Sequence, residues 1–274
     1  ELKVAMDPPA QVAVAACAML EAGKASACFG WPEKLFVRIN ALSTGLTWTD
    51  LDAIVCDKLD GVLMPKADTS DEVAELDSML SRLEKERTLK PNSVAVIPLI
   101  ETAKGLVNAH QIAAARKRNV AVGFGAGDFM RDLGLNASFM TPEQSELLYT
   151  RSRIVICARA AGLQAIDTVF FGLLKDLEGL ERETKMALRL GFKGKALIHP
   201  SQIEVANRVF SPSEEDIRYA SGLVAAFAEA EKKGLGAVTY EGRMVDVMSR
   251  VQAKELLDFA AVVAERDKRK AAMK

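Results

Sequence analysis

The stretch that decides the fold comprises residues 94–129 and reads VAVIPLIETAKGLVNAHQIAAARKRNVAVGFGAGDF. Two mostly apolar runs, residues 94–102 and 120–129, flank an amphipathic stretch of helical length. Continuous rather than alternating apolar character is typical of parallel strands that are covered on both faces. The stretch therefore predicts a strand, helix and strand unit of a parallel α/β fold.

The same alternation extends over the chain from residue 35 onward. Six runs start about 32 residues apart on average, which is the length of one βα unit. The four further runs are residues 35–40, 61–66, 164–169 and 195–200. The stretches between them fit helices, and residues 71–87 have apolar side chains at a spacing of three and four. Six such units predict a parallel α/β fold, for which a closed TIM barrel, the (β/α)8 architecture, is one candidate.

The composition is that of an ordinary globular protein. The chain has 274 residues, 49% hydrophobic and 27% charged, which excludes disordered, collagen-like and low-complexity proteins. Its net charge of -1 gives no reason to expect nucleic acid or an acidic membrane as partner. No stretch approaches the roughly 20 apolar residues of a membrane span, and the four cysteines lack a metal-site spacing. We expect reduced cysteines and a cytoplasmic protein, or a mitochondrial matrix protein if the source is eukaryotic.

Each predicted strand ends in polar or charged residues. In a barrel the carboxyl ends of the strands gather on one face, where the active sites of this architecture lie. An open dinucleotide-binding sheet is the structural alternative, but the glycines of residues 123–128 occur in the fourth run and fit its fingerprint badly. The strand-end residues are Arg38, Asn40, Lys66, Glu101, Thr102, Asp128, Asp167 and His199.

Two of these residues are candidates for a metal site. Glu101 and Asp128 end neighbouring strands, and paired carboxylates suit Mg²⁺, whereas two separate caps or ion pairs are the alternative. Arg38 suits a carboxylate substrate, or else pairs with a carboxylate of the barrel. A cation beside an arginine would stabilise an enolate as it forms. That is the chemistry of reversible C–C cleavage beside a carbonyl.

The chain has two histidines and little support for a nucleophilic hydrolase. His110 lies in a helical stretch, where we expect a surface or packing role. His199 precedes Pro200 at a strand end, where ligand contact and capping are both open. Because no nucleophile elbow or comparable signature occurs, a Ser/His/Asp or Cys/His mechanism is disfavoured.

Taken as an ordered set, the strand-end strings resemble the citrate lyase beta-subunit family, which is HpcH/HpaI aldolase-like and includes malyl-CoA and citramalyl-CoA lyases. They occur in the family's order between residue 35 and about residue 257. The strings are VRIN (37–40), MPK (64–66), IETA (100–103), FGAGDF (124–129), AID (165–167) and IHPSQI (198–203). Two more, FSPS (210–213) and GRMVD (242–246), resemble the citramalyl-CoA lyase branch.

The resemblance implies a Mg²⁺-dependent carbon–carbon lyase in a TIM barrel. It would cleave citramalyl-, malyl- or citryl-CoA reversibly to acetyl-CoA and a keto acid, so the coenzyme A thioester is the substrate. Thioester hydrolysis of the same compounds and a non-catalytic CoA-binding subunit are the alternatives. The resemblance implies Glu101 and Asp128 as metal ligands, and Arg38 as the group that binds the substrate carboxylate and carbonyl.

The resemblance also implies a homotrimer with shared sites. Residues 1–210 would form the barrel, and residues 211–274 a C-terminal helical extension that contributes to the neighbouring subunit. Asp246 is implied to be the acid/base group that this extension delivers. The residues implied to line the CoA-binding mouth are Lys66, His199, Pro200 and Gln202.

The N-terminus departs from the family pattern. The family's first strand, and a second that ends in an acidic Leu-Glu-Asp motif, are not visible, and residues 8–20 are predicted as a helix. Aligning residues 1–6 on the motif would place Lys3 and Val4 at the acidic pair. We therefore expect a barrel two strands short, with the N-terminal part of the protein outside this sequence. A shortened, catalytically impaired relative is the alternative.

Overall fold

A computed structural model of the chain describes residues 2–5, 34–136, 141 and 143–272. The chain forms two compact units, Glu1–Gln202 and Ile203–Lys274. Strands alternate with helices in the first unit, whereas the second consists of helices and one hairpin. Among the residues described, no helix is long and apolar enough to cross a membrane.

Within the described residues of the first unit, seven parallel strands form the sheet, and their order in the sheet is their order along the chain. This order and direction are those of a (β/α)8 barrel, so the predicted fold class is confirmed. The strands are β1 (Leu2–Ala5), β2 (Lys34–Arg38), β3 (Gly61–Met64), β4 (Ala95–Ile100), β5 (Ala121–Phe124), β6 (Gln164–Asp167) and β7 (Gly194–Lys195).

Strand β1 corrects the expectation that the first 34 residues contain no strand. It pairs in parallel with β2, and Lys3 lies opposite Leu35. Four residues are too few for a period of two to stand out from other patterns, so the sequence alone did not reveal this strand. The described sheet is one strand short of eight rather than two. The helix predicted at residues 8–20 lies outside the described residues.

Helices follow the strands of the first unit. Helix α2 (Ser70–Glu86) begins with a capping box in which the Thr69 side chain and Glu72 satisfy each other's backbone N–H, so the helix predicted at residues 71–87 is confirmed. Short 3-10 turns occur at Leu42–Thr44, Ser145–Leu147 and Pro200–Gln202. The helices are α1 (Thr47–Ile54), α2 (Ser70–Glu86), α3 (Ala103–Val107), α4 (Ala109–Ala114), α5 (Ala126–Asp132), α6 (Leu148–Ala160) and α7 (Leu177–Leu190).

The sheet is curled into a half-barrel, and its inner face carries a hydrophobic layer. Strand β4 contributes three residues at alternate positions, because neighbouring side chains in a strand point to opposite faces, and β2, β3, β5 and β6 contribute one residue each. The layer consists of Phe36, Leu63, Ala95, Ile97, Leu99, Ala121 and Ile166.

A glycine makes room for a large side chain in this layer. A Cβ on Gly61 would overlap the ring of Phe36 and lie 2.7 Å from the carbonyl oxygen of Ala95. Gly194 of β7 is different, since a Cβ there would meet nothing within 4 Å. The first glycine is therefore required by packing, and the second is not.

The second unit has its own core. Its elements are α8 (Ile203–Phe210), α9 (Glu214–Lys232), the antiparallel strands β8 (Ala237–Tyr240) and β9 (Arg243–Asp246), and α10 (Val247–Ala272). Helix α9 begins with a capping box of Ser213 and Asp216. The buried residues of the core are Ala220, Leu223, Phe227, Val245 and Ala253.

We predict that Gly61→Ala lowers the free energy of unfolding by about 1–3 kcal/mol, because the added methyl group overpacks the inner layer. Gly194→Ala is the matched control, and it should be neutral or stabilising by up to about 1 kcal/mol. Urea denaturation of the two variants measures the difference. Equal stability of the variants would contradict the packing of Phe36 over Gly61.

Candidate functional site

Strand alternation directs Arg38 and Glu101 to the inner face of the sheet. Arg38 is the last residue of β2 and lies two positions after Phe36, a member of the inner layer. Glu101 directly follows β4 and lies two positions after Leu99, another member. Both side chains therefore lie at the carboxyl end of the sheet on its concave side.

Glu101 is a buried carboxyl group, only 4% exposed. Its Oε2 accepts a hydrogen bond of 2.9 Å from the backbone N–H of Lys66. Lys66 has φ 49°, a left-handed conformation that non-glycine residues rarely adopt. On the other side, a Cβ on Gly125 would lie 2.5 Å from both Cγ and Oε1 of Glu101. The backbones of two neighbouring loops thus enclose this carboxyl group.

Asp128 approaches the same position from the following loop. It lies in the first turn of α5, not at the end of a strand as predicted from the sequence. Its Oδ1 accepts a hydrogen bond of 2.7 Å from Arg131 and lies 3.5 Å from Nζ of Lys66. Lys66 therefore contacts Glu101 through its backbone and Asp128 through its ammonium group.

The environment of Glu101 favours its protonated form. Burial raises the pKa of Glu101 to about 7, although the hydrogen bond from the backbone N–H of Lys66 lowers it. The negative charge of Asp128 raises this pKa further, whereas the positive charges of Arg38 and Lys66 lower it. The four predicted residues therefore lie close enough to act on one another. The structure brings Arg38, Lys66, Glu101 and Asp128 together.

This pair of carboxylates fits Mg²⁺ by its chemistry. Mg²⁺ is usually held in proteins by one or two carboxylates and keeps several of its waters. A cation between the two groups would relieve the repulsion that contributes to the raised pKa of Glu101. Within the described part of the chain, no group of three or more His, Cys, Asp and Glu side chains is arranged to hold a metal. The donor set thus differs from that of a structural zinc site.

The predicted CoA-binding residues after β7 form a compact turn. Strand β7 is shorter than the predicted run, residues 195–200, and a 3-10 turn at Pro200–Gln202 follows. His199 is exposed, and its Nδ1 accepts a hydrogen bond of 3.2 Å from the backbone N–H of Ser201. Gln202 is buried, and its Oε1 accepts a hydrogen bond of 3.1 Å from the backbone N–H of Ile198. His199 and Gln202 therefore hold the turn in shape.

Asp246 lies in the second unit, as the last residue of β9. Its Oδ1 accepts two hydrogen bonds of 2.9 Å from Ser249, one from the backbone N–H and one from the hydroxyl group. These bonds hold the pKa of Asp246 below its usual value. Asp246 is exposed and therefore ionised at neutral pH.

Asp167 does not belong to the group that faces the inner side. Ile166 is in the inner layer, so Asp167 points to the opposite face, towards the helices. There it bonds Arg151 of α6 at 2.9 Å and Lys195 of β7 at 2.9 Å. Burial alone would raise the pKa of Asp167, but these two cations hold it below its usual value. Arg151 and Lys195 were not predicted as partners of Asp167, because alternation alone does not tell which side chains of β6 face the helices.

The other sequence candidates have simpler positions. His110 is exposed on α4, as expected for a surface role. Cys56 and Cys157 are free thiols, whereas Cys17 and Cys28 lie outside the described residues.

Comparisons with known proteins show what the chain is similar to in sequence. The family model of HpcH/HpaI aldolase/citrate lyase matches residues 10–200. Citrate lyase subunit beta of Leuconostoc mesenteroides is 39% identical, over 83% of this chain and 74% of the relative. Human mitochondrial citramalyl-CoA lyase is 34% identical, over 86% of this chain and 71% of the relative. The (3S)-malyl-CoA thioesterase of Cereibacter sphaeroides is 35% identical, over 83% of this chain and 74% of the relative.

A solved structure extends the similarity to the fold. The protein CitE of Mycobacterium tuberculosis, in complex with magnesium, acetoacetate and coenzyme A, superposes with a TM-score of 0.73. It is 32% identical in sequence, and the match covers 95% of this chain and 89% of that protein. The resemblance inferred from the strand-end strings is thereby confirmed.

We predict that ionisation of Glu101 destabilises the metal-free protein. Because the pKa of about 7 in the folded state exceeds the ordinary 4.5, the stabilisation is fully present below pH 4.5 and is lost as the pH rises through 7. The shift corresponds to about 3 kcal/mol. Glu101→Gln still accepts the Lys66 hydrogen bond but does not titrate. Denaturation in EDTA from pH 4 to 8 measures the free energy of unfolding of the wild type and of Glu101→Gln. The wild type should lose stability relative to the variant as the pH rises, and parallel pH profiles would contradict the prediction.

Proposed function

The chain belongs to the HpcH/HpaI aldolase/citrate lyase family, which includes carbon–carbon lyases, and we propose that it cleaves a short β-hydroxyacyl-CoA. The proposed substrates are citramalyl-, malyl- or citryl-CoA, and the products are acetyl-CoA and a keto acid. The observation that carries the proposal is the convergence of two mutually repelling carboxylates with Arg38 and Lys66 at the carboxyl end of the sheet.

We propose that Glu101 and Asp128 hold Mg²⁺. When bound, the ion polarises carboxylate and carbonyl oxygens as a Lewis acid and offsets negative charge that develops on oxygen. The ammonium group of Lys66, now 3.5 Å from Asp128, would then be released to other partners. The M. tuberculosis relative, whose structure contains magnesium and coenzyme A, supports Mg²⁺ as the ion.

Arg38 is proposed to bind the acyl end of the substrate. Its guanidinium group is a rigid fork of N–H donors that matches a carboxylate, and its position near Glu101 favours contact with the part of the substrate that lies at the metal. Since an arginine does not lose its proton at neutral pH, it orients the substrate and neutralises charge but does not act as the base.

The reaction needs a base for the β-hydroxyl group. Once this proton is removed, the C–C bond breaks, the hydroxyl carbon becomes the carbonyl of the keto acid, and the electron pair forms the enolate of acetyl-CoA. A proton then returns to the enolate carbon. Asp246 is proposed for both transfers, because it is an exposed carboxylate at the end of β9 and can accept the first proton and return one.

An exposed apolar face supports delivery of Asp246 to a neighbouring subunit. Met248, Val251, Phe259 and Val262 share one side of α10, and each is between 39% and 65% exposed. This apolar stripe is interrupted by the exposed Glu255, and apolar side chains left open to solvent on one side of a helix favour an interaction surface. Because the stripe begins two residues after Asp246, we propose that it packs on another copy of the chain in a homotrimer.

The CoA arm is proposed to lie at the mouth of the site. The Lys66 ammonium group and the exposed His199 ring can contact its phosphates and pantetheine amides, with Pro200 beside them. Gln202 is buried and is proposed to act by fixing the backbone at Ile198, not by direct contact.

Thioester hydrolysis is the second candidate function, and the 35% identical malyl-CoA thioesterase favours it. Incubation with Mg²⁺ and each of the three acyl-CoA compounds, followed by product analysis, separates the candidates. Acetyl-CoA plus a keto acid supports the lyase, and free CoA plus a hydroxy acid supports the thioesterase. CoA binding without turnover in either direction would indicate a non-catalytic subunit.

We predict that Asp128→Asn lowers kcat/KM by about 100-fold or more, because it removes a charged metal ligand. The fold should persist, since the side chain is partly exposed. Asp132→Asn on the same helix is the matched control, because an amide oxygen can still accept the hydrogen bond from the backbone N–H of Ala103. Equal activity of the two variants in the Mg²⁺-dependent assay would reject Asp128 as a ligand.

We predict that Asp246→Asn lowers kcat by about 100-fold and leaves CoA affinity unchanged. Co-expression with Arg38→Ala subunits tests whether sites are shared. In a random, equal mixture, a site is intact when one copy supplies Arg38 and its neighbour supplies Asp246. Each condition is met in half of the cases, so activity should recover to about a quarter of wild type. Recovery no greater than the sum of the two variants alone would place both residues in one chain's site.

A further inference from the structure

A buried ionic cluster lies behind the candidate site, on the helix side of the sheet. It consists of Arg151, Asp167, Glu183 and Lys195, and all four side chains are at most 5% exposed. Arg151 bonds Asp167 at 2.9 Å and Glu183 at 3.3 Å, and Lys195 also contacts both carboxylates. With two charges of each sign the cluster is balanced, and it ties α6, β6, α7 and β7 together.

The cluster is connected to the loop that follows β6. Nζ of Lys195 donates a hydrogen bond of 2.8 Å to the backbone carbonyl of Thr168. Thr168 itself is 2% exposed. The Lys195 ammonium group therefore holds the backbone of this loop at a fixed distance from the buried carboxylates.

The side chain of Thr168 is bonded to the helix that carries Asp128. Its Oγ1 accepts a hydrogen bond of 3.1 Å from the backbone N–H of Ala126, the first residue of α5. The capping residue Gly125 has no side chain to accept an N–H group of the first turn. Gly125 is in turn required as glycine, because a Cβ there would meet Glu101. Thr168 supplies an acceptor that the helix cannot provide for itself.

The same loop contacts α5 at a second point. A Cβ on Gly127 would lie 3.6 Å from the ring of Phe171, so the ring lies in contact range of the residue just before Asp128. Helix α5 has seven residues, and an isolated helix of this length is not stable in water. The position of Asp128 is therefore set by what holds the start of α5.

We propose that Thr168 is a positioning residue for Asp128, anchored by the buried ionic cluster through Lys195. Its hydroxyl group holds the first turn of α5 where the Asp128 carboxylate can act together with Glu101. The inference rests on the proposed metal role of Asp128. Groups that orient a metal ligand without touching the metal typically contribute 10–100-fold to affinity.

The test is titration calorimetry of the full chain with Mg²⁺ alone. Thr168→Val keeps the shape of the side chain but removes the acceptor, and we expect its Kd for Mg²⁺ to rise by about tenfold or more. Thr168→Ser keeps the hydroxyl group and should bind within about threefold of wild type. Unchanged Mg²⁺ affinity of Thr168→Val would overturn the inference.

Thr184→Val is the matched control. Thr184 is fully buried and also makes one hydrogen bond, from Oγ1 to the carbonyl of Leu180 within α7. A purely structural role of Thr168 predicts equal Mg²⁺ affinities for the two valine variants, whereas positioning predicts a loss only at Thr168. If Thr168→Val is too unstable to titrate, Thr168→Ala is compared with Thr184→Ala in the same way.

Asp128→Asn separates failure of the inference from failure of the metal site. If Asp128→Asn weakens Mg²⁺ binding and Thr168→Val does not, the metal site stands and the positioning role is wrong. If Asp128→Asn binds Mg²⁺ like wild type, the metal assignment and the inference both fall.

Discussion

The alternation of side chains along parallel strands is the constraint on which the site depends. It directs Arg38 and Glu101 into the concave side of the curled sheet and turns Asp167 and Lys195 towards the helices. The same carboxyl edge therefore carries two kinds of charge. Charges on the inner side are left incompletely neutralised and can take a ligand, whereas those on the outer side neutralise one another and fasten the strands to α6 and α7.

The inner charges keep the site ready for a cation. A buried carboxyl group with a pKa near 7 is less stable ionised than it would be in water, so part of the folding free energy is given up at Glu101. Lys66 relieves this partly by contacting Glu101 and Asp128, at the expense of a left-handed backbone. Such local strain is tolerated where surrounding structure fixes it, and here the hydrogen bonds from the backbone N–H of Lys66 to Glu101 and from that of Ala67 to Leu99 do so.

Much of this arrangement was predictable, because it follows from periodicity. The runs before Arg38, Lys66 and Glu101 predicted strands whose ends meet, and the structure brings these residues together. Two features were not predictable in the same way. Strand β1 has four residues and no distinctive pattern. The orientation of Asp167 depends on which alternate side chains of β6 face the inner side of the sheet. The structure settles this, because Ile166 belongs to the inner layer.

The central claim is that Glu101 and Asp128 jointly hold the metal. The most direct measurement is a crystal soaked in Mn²⁺, a substitute for Mg²⁺ that scatters anomalously, with data collected above the manganese absorption edge. Joint ligation predicts one strong anomalous peak within about 2.3 Å of a carboxylate oxygen of each residue. A peak bonded to other side chains, with none between these two carboxylates, would contradict it.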